Sequence, residues 1–287
     1  MTANPAATAA GVQRPRAVPP RGAWARHREL LLELIRRDLK ARYRGSRLGI
    51  AWSLLNPLLF MVVYSIVFTF FVRFKTKAPY PVFLLSGLLA WNFFGQALGS
   101  SVNSILASAS LVKKVAFPWV LITLSSVIAT FVNYLISLVL LIPLVVFFRV
   151  AVDPAAVALL PLIILLMFSM TLGLCLLVAA ANVYFRDLEY LVGVALTVGF
   201  FMTPVIYTLQ SVEQSAGGGH RSAEAFKWLL YANPMTWVAV AFQDIIANHE
   251  MPTRPLGLLY TTAFAIVALP TGILVFNRLR RRFAEEL

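Results

Sequence analysis

The sequence predicts an all-α polytopic membrane protein. It has six transmembrane helices, an N-terminal amphipathic helix at the membrane interface, and a short re-entrant helical hairpin between spans five and six. Three observations carry this. Of 287 residues, 60% are hydrophobic and 13% charged, against ~45–50% and ~25% in soluble domains. Six long stretches lack Asp, Glu, Lys and Arg: Leu48–Val72, Ala78–Val112, Val115–Phe148, Pro154–Phe185, Tyr190–Val212 and Pro255–Asn277. Each can supply the ~20 apolar residues a bilayer core needs. Cations also fall mostly on one side. With both termini inside, cytoplasmic segments hold 18 of the 25 Lys+Arg, as expected for loops that stay inside. A soluble enzyme, a disordered protein and a nucleic-acid binder are excluded for the whole chain. The net charge of +13 belongs to the cytoplasmic face, and no nucleic-acid partner is implied.

Taken in order, residues 1–27 are rich in Ala, Pro and Arg and lack the apolar centre of a signal peptide. They predict a disordered cytoplasmic arm. Residues 28–287 form a single transmembrane domain. Its first element is an interface helix over 28–45. Leu31, Ile35 and Leu39 recur at helical spacing beside Leu30 and Leu34, while Arg28, Glu29, Glu33, Arg36, Arg37 and Lys40 take the other faces. Glu33 and Arg37 are spaced for an i,i+4 ion pair, and Gly45 suits the helix end. Such a helix lies in the interface plane with its cations at the headgroups. The spans are set roughly at 48–72, 80–106, 119–148, 155–182, 190–210 and 255–278.

Two cytoplasmic turns are too short to hold a domain. Ser110–Pro118 carries Lys113, Lys114 and Phe117, and Pro118 suits the first position of the next helix. Asn182–Glu189 carries Phe185, Arg186 and Asp187. Each is a plain connection or a docking surface. On the outside, Gly217–Gly219 reads as a flexible tip. Two short helices follow within 224–248, with Asn233 as N-cap and Pro234 at the first position of the second. Their faces are apolar, which predicts the re-entrant hairpin; such backbone is tolerated where it packs on protein or lines a cavity. Trp228–Gln243 is too short to cross comfortably, and a crossing there would put the Arg-rich C-terminus outside.

The chemistry-bearing residues are sparse. No Gly-x-x-x-x-Gly-Lys-[Ser/Thr] phosphate loop occurs, His27, His220 and His249 are scattered, and Cys175 is the single cysteine. No catalytic residue, metal site or cofactor is assigned to this chain. The spans hold almost no ionisable residues, whereas proton-coupled transporters place acids or histidines in the bundle. A conduit driven by an external energy source fits better.

Arg37-Asp-Leu-Lys-Ala-Arg-Tyr-Arg-Gly-Ser-Arg-Leu-Gly-Ile-Ala-Trp-Ser-Leu-Leu-Asn-Pro57 resembles the start of ABC-2-type permeases that export polysaccharides. In that family an amphipathic gate helix runs into an Arg-Tyr-(Arg/Lys)-x-Ser-x-Leu-Gly-x-x-Trp signature. Lys113-Lys-Val-x-Phe-Pro118, Tyr184-Phe-Arg-Asp-Leu188, Thr203-Pro-Val-Ile-Tyr207 and Asn233-Pro234 continue the resemblance in order. It spans about Glu29 to Phe283. It implies a six-span subunit of the bacterial cytoplasmic (inner) membrane, with both termini cytoplasmic, forming a homodimer. Two separate ATP-binding cassette chains, which hold the ATP and Mg, would dock below. Their contacts would be Lys113, Lys114, Phe117, Pro118, Arg186, Asp187 and Glu189. The cargo would be a lipid-linked glycan, such as O-antigen, teichoic acid, capsule or galactan, on undecaprenyl pyrophosphate. Arg36, Arg37, Arg42, Tyr43 and Arg44 become gate-helix candidates for the pyrophosphate, which planar guanidinium suits. The aromatics Trp52, Phe60, Tyr64, Trp91, Phe93, Phe94, Phe200 and Phe201 fit interface belts or, more sharply, a channel lining that stacks on sugar rings.

Two other readings stand beside this one. A membrane-embedded enzyme acting on lipid-linked sugars needs acids or bases near the surface, yet the cytoplasmic carboxylates form no Asp-x-Asp or metal-like cluster. An exporter of a small molecule such as a drug or haem, from the same superfamily, is separated only by the motifs.

Overall fold

Proline and glycine placement sets several of the helix boundaries. The computed structural model describes residues 23–72, 76–109, 118–218 and 221–283, and within them every regular element is helical. Helix α1, Ala23–Tyr43, starts before the expected 28 because Ala23–His27 continue a helix-compatible run; Gly45 turns the chain just past it at φ +77°. The proposed arm is thereby shortened, and residues 1–22 lie outside the described residues. The expected Glu33–Arg37 pair does not form. Glu33 takes Arg36 at 2.7 Å, and Arg37 turns to its neighbour Asp38, whose Oδ1 it meets with both Nε and Nη2 at 3.0 and 2.9 Å.

Helix α2, Ala51–Val67, carries Pro57 and ends in a π-type turn, Phe68–Val72. Helix α3 is Tyr80–Val102, and α4 is a single turn, Ser104–Ala107. The expected third span is α5, Val120–Leu138, and α6, Leu141–Phe147. The ladder breaks between them because Pro143 has no N–H for the carbonyl of Val139. The fourth span is α7, Pro154–Val157, and α8, Leu160–Tyr184. Helix α9 is Leu188–Phe201. Helices α10, Leu209–Gly217, and α11, Arg221–Ala232, precede α12, Pro234–Gln243, which runs into a π-type turn, Asp244–Asn248. Helix α13, Pro255–Leu279, ends in the 3-10 turn Arg280–Arg282. Asn233 caps α12 as expected, accepting from the Met235 amide at 3.0 Å.

Among the described residues, five helical segments are long and apolar enough to cross a membrane: Ala51–Phe70, Tyr80–Val102, Val120–Phe147, Pro154–Tyr184 and Pro255–Arg282. The stretch expected as span five, 190–210, is not one helix. Its helical part, α9, has 14 residues, about 21 Å of rise, and stops ahead of Thr203-Pro204. The chain between α9 and α10 is irregular, and protein side chains satisfy its carbonyls. Asn233 donates to Met202 O at 3.0 Å, Gln243 to Pro204 O at 2.7 Å, and Tyr80 to Ile206 O at 2.7 Å. This segment therefore packs on protein rather than on lipid, where unpaired carbonyls would be costly.

Helix α3 is the centre. Of its apolar window 72% is buried, against 11% for α2 and 22% for α13. Phe93 sits at the core with Phe131 and Tyr134, centroids 5.5 and 5.2 Å away. Helices α8 and α13 approach at backbone contact: a Cβ on Gly173 would lie 2.6 Å from Ala268 O, and one on Gly272 2.3 Å from Gly173 O. Close approach through small residues is how helices associate in lipid.

Candidate functional site

The C-terminal half of α1 is tied into the bundle. Ser125 donates to Asp38 at 2.8 Å, Arg42 Nη2 to Thr130 at 3.0 Å, Arg42 Nη1 to Gln96 at 3.3 Å, and Tyr43 to Asn133 at 2.5 Å. The partner positions climb along both helices together, so this half of α1 runs down the flank of α5. Thr130 lies about 15 Å of helix inside the start of α5. Burial lowers the Arg42 pKa from its ordinary value, with Tyr43 and Asp38 pulling the other way.

These bonds roof a cavity of ≈ 260 Å³ between α1, α2, α3 and α5. Its polar wall comes from Arg42, Asn56, Asn92, Gln96, Asn133 and Ser137; its aromatic wall comes from Trp52, Phe60, Phe93 and Tyr134. Two wall groups are buried donors without a partner, Asn133 Nδ2 and the Tyr134 hydroxyl. The expected gate-helix residues thus divide. Arg42 and Tyr43 face this cavity; Arg36 pairs with Glu33 at the surface, Arg37 with Asp38, and Arg44 is exposed. Neutral amides within or beside the spans leave a charge-free stretch unbroken, so the charge pattern does not mark them. Asn56, Asn92, Gln96 and Asn133 were visible only as polar letters inside apolar runs.

The expected channel aromatics also divide. Trp52, Phe60 and Phe93 belong to the cavity. Tyr64, Trp91, Phe200 and Phe201 border an open groove of ≈ 430 Å³ between α2, α3 and α9. Phe94 packs on Trp91 at 5.4 Å, and Tyr64 stacks on Phe200 at 6.2 Å. Gly199 lets Trp91 lie against α9, since a Cβ there would meet the indole at 2.9 Å. Helix α9 buries no residue within the single chain.

At the end of the bundle where α5 begins and α8 stops, Phe283 is fully buried against Trp119, Tyr184 and Phe276. Tyr184 donates to Leu279 O at 2.8 Å. This cluster brings Pro118 and the exposed Phe185, Arg186, Asp187 and Glu189 beside the Arg280–Arg282 turn. Lys113, Lys114 and Phe117 lie outside the described residues. At the opposite end, Lys77–Glu250 (2.7 Å) joins two connecting segments and Arg254–Glu213 (2.6 Å) joins the start of α13 to α10. Tyr231 also donates to Glu213; burial and that bond push its hydroxyl up to about 12. No group of three or more His, Cys, Asp or Glu among the described residues is placed to hold a metal.

The chain matches the family model described as "ABC-2 type transporter" over residues 29–247. It belongs to the ABC-2 type transporter family. It is 36% identical over 264 residues to the O-antigen export system permease protein RfbA of Myxococcus xanthus, covering 91% of this chain and 96% of that one. The protein of the same name from Klebsiella pneumoniae is 30% identical over 259 residues, covering 90% and 95%. The chain is therefore a multi-pass membrane permease and not an enzyme, and ATP hydrolysis falls to a separate ATP-binding partner. The family match includes the tied half of α1, the amide-lined cavity and the α9–α12 region.

Proposed function

We propose that this permease exports a lipid-linked polysaccharide, an O-antigen-like glycan on undecaprenyl pyrophosphate, across the bacterial cytoplasmic membrane. It acts as a homodimer with two ATP-binding cassette chains, its termini cytoplasmic and its α11–α12 pair a re-entrant hairpin at the outer side. The observation that carries the reading is the similarity, along nine-tenths of the chain, to two permeases named for O-antigen export.

The geometry supports it. A cavity of ≈ 260 Å³ is far too small for a glycan chain, so a conduit needs a second wall. The apolar faces of α2 and α9 are open, and the Tyr64–Trp91–Phe200–Phe201 groove lies between them. A second copy facing that groove would close an aromatic-lined path on which sugar rings stack. Arg42 and Tyr43, with Arg36, Arg37 and Arg44 nearer the surface, would meet the pyrophosphate. Pro118, Arg186, Asp187 and Glu189, with Lys113, Lys114 and Phe117, would receive the ATP-binding chains. Four aromatics knit into a buried cluster beneath that face would transmit their movement.

Deletion of the gene in its host tests this. Surface glycan should fall below detection while lipid-linked glycan accumulates on the cytoplasmic side. Undiminished surface glycan would overturn the reading.

A further inference from the structure

The cavity beneath α1 holds more polar capacity than its own hydrogen bonds use. Asn133 is 5% exposed and Tyr134 4%. The Asn133 carbonyl oxygen is engaged by Tyr43, but its Nδ2 has no partner, and neither has the Tyr134 hydroxyl. Buried donors of this kind are rarely left unmade, because each forfeits the bonds it made in water. Both residues line the same cavity. At ≈ 260 Å³ it has room for a hexose-sized ring.

The composition of the wall indicates the ligand's chemistry. A phosphate site gathers several cations or a helix N-terminus. Here there is one cation, Arg42 at the rim, already bridging Gln96 and Thr130. Deeper in, the polar groups are neutral amides and hydroxyls that both donate and accept, set beside aromatic faces. That combination suits a ring with many hydroxyls and an apolar face. We infer that this cavity is a monosaccharide subsite within one subunit. It takes the first sugar of the lipid-linked glycan while Arg42 at its mouth meets the adjoining phosphate. The inference rests on the export reading above and adds where the sugar next to the carrier is read.

The test uses the full complex of permease and ATP-binding partner in nanodiscs. Its probes are bare undecaprenyl pyrophosphate and the same carrier bearing N-acetylglucosamine, galactose, mannose or rhamnose. Binding is followed by the fluorescence of Trp52 in the cavity wall, with Trp52→Phe as the control for signal origin. Wild type should bind at least one sugar-bearing carrier more tightly than the bare one. Tyr134→Phe removes one hydroxyl and keeps the ring. It should weaken the sugar-bearing carrier about tenfold, the effect of one lost hydrogen bond to a ligand, and leave the bare carrier's affinity unchanged. Asn92→Ala, on the same wall, should act likewise. Equal weakening of bare and sugar-bearing carriers would make the cavity a phosphate site and overturn the inference. Unchanged binding of every probe in both variants would make it a water-filled space and overturn it too. If wild type binds no carrier at all, the export reading itself fails, an outcome distinct from the other two.

Discussion

Arg42 bridges two helices with one guanidinium, reaching Thr130 on α5 and Gln96 on α3. Lysine keeps the charge but loses the fork. A charge-assisted bond is worth about 1.5–3 kcal/mol, so Arg42→Lys should lower export several-fold with membrane insertion and dimer formation intact. Arg36→Lys should be nearly silent, because its partner Glu33 and its own guanidinium are both exposed and such pairs contribute little. Surface glycan per permease scores both. Wild-type export in Arg42→Lys would leave α1 as an anchor only. At this scale charges and aromatics were legible in the sequence, and Arg42 and Tyr43 were among the gate-helix residues singled out. Asn56, Asn92, Gln96 and Asn133 were not. A neutral amide leaves a span's charge count untouched, and only the packing of four helices brings these side chains to one cavity.

Some helix boundaries were legible from a proline, a cap or a glycine at the end. Asn233-Pro234 starts α12, Pro255 starts α13, and Gly45 follows α1. The break after α9 was not, because Thr203-Pro204 sits inside an apolar run whose average hydropathy hides it. Its stability comes from far along the chain: Asn233, Gln243 and Tyr80 pair with its carbonyls. Gln243→Leu strands the Pro204 carbonyl and should destabilise the permease by about 1–3 kcal/mol, seen as a lower melting temperature in nanodiscs. Gly173→Val should lower it further, since its side chain would enter the backbone of α13 at Ala268. Gly99→Ala, with nothing within 4 Å of its Cβ, should be neutral or stabilising. A melting temperature unchanged by Gly173→Val would contradict the tight α8–α13 contact.

For the whole molecule, the sequence's apolar stretches and charge bias were enough to predict a polytopic all-helical protein. The exact span count turned on α9, too short to cross alone as a straight helix and with no residue fully buried within one chain. Topology is checked by single-cysteine labelling on a Cys175→Ala background. Gln214→Cys should react with an impermeant reagent from outside, and Arg281→Cys only after permeabilisation; the opposite pattern would contradict cytoplasmic termini. Docking of the ATP-binding chains at the Phe185–Glu189 turn predicts that Arg186→Glu reduces their co-purification with the permease at normal insertion. Unchanged co-purification would remove that turn from the docking face.

ATP-driven movement of a lipid-linked glycan through this chain can be followed by reconstitution. Proteoliposomes containing the permease and its ATP-binding partner are loaded with fluorescent glycan on undecaprenyl pyrophosphate. Appearance of glycan on the face opposite the ATP-binding chains is then timed with a lectin. Transfer should require ATP, the partner and the permease together, and should slow several-fold in Arg42→Lys. Transfer at the same rate without ATP, or ATP-dependent transfer in vesicles lacking the permease, would contradict it.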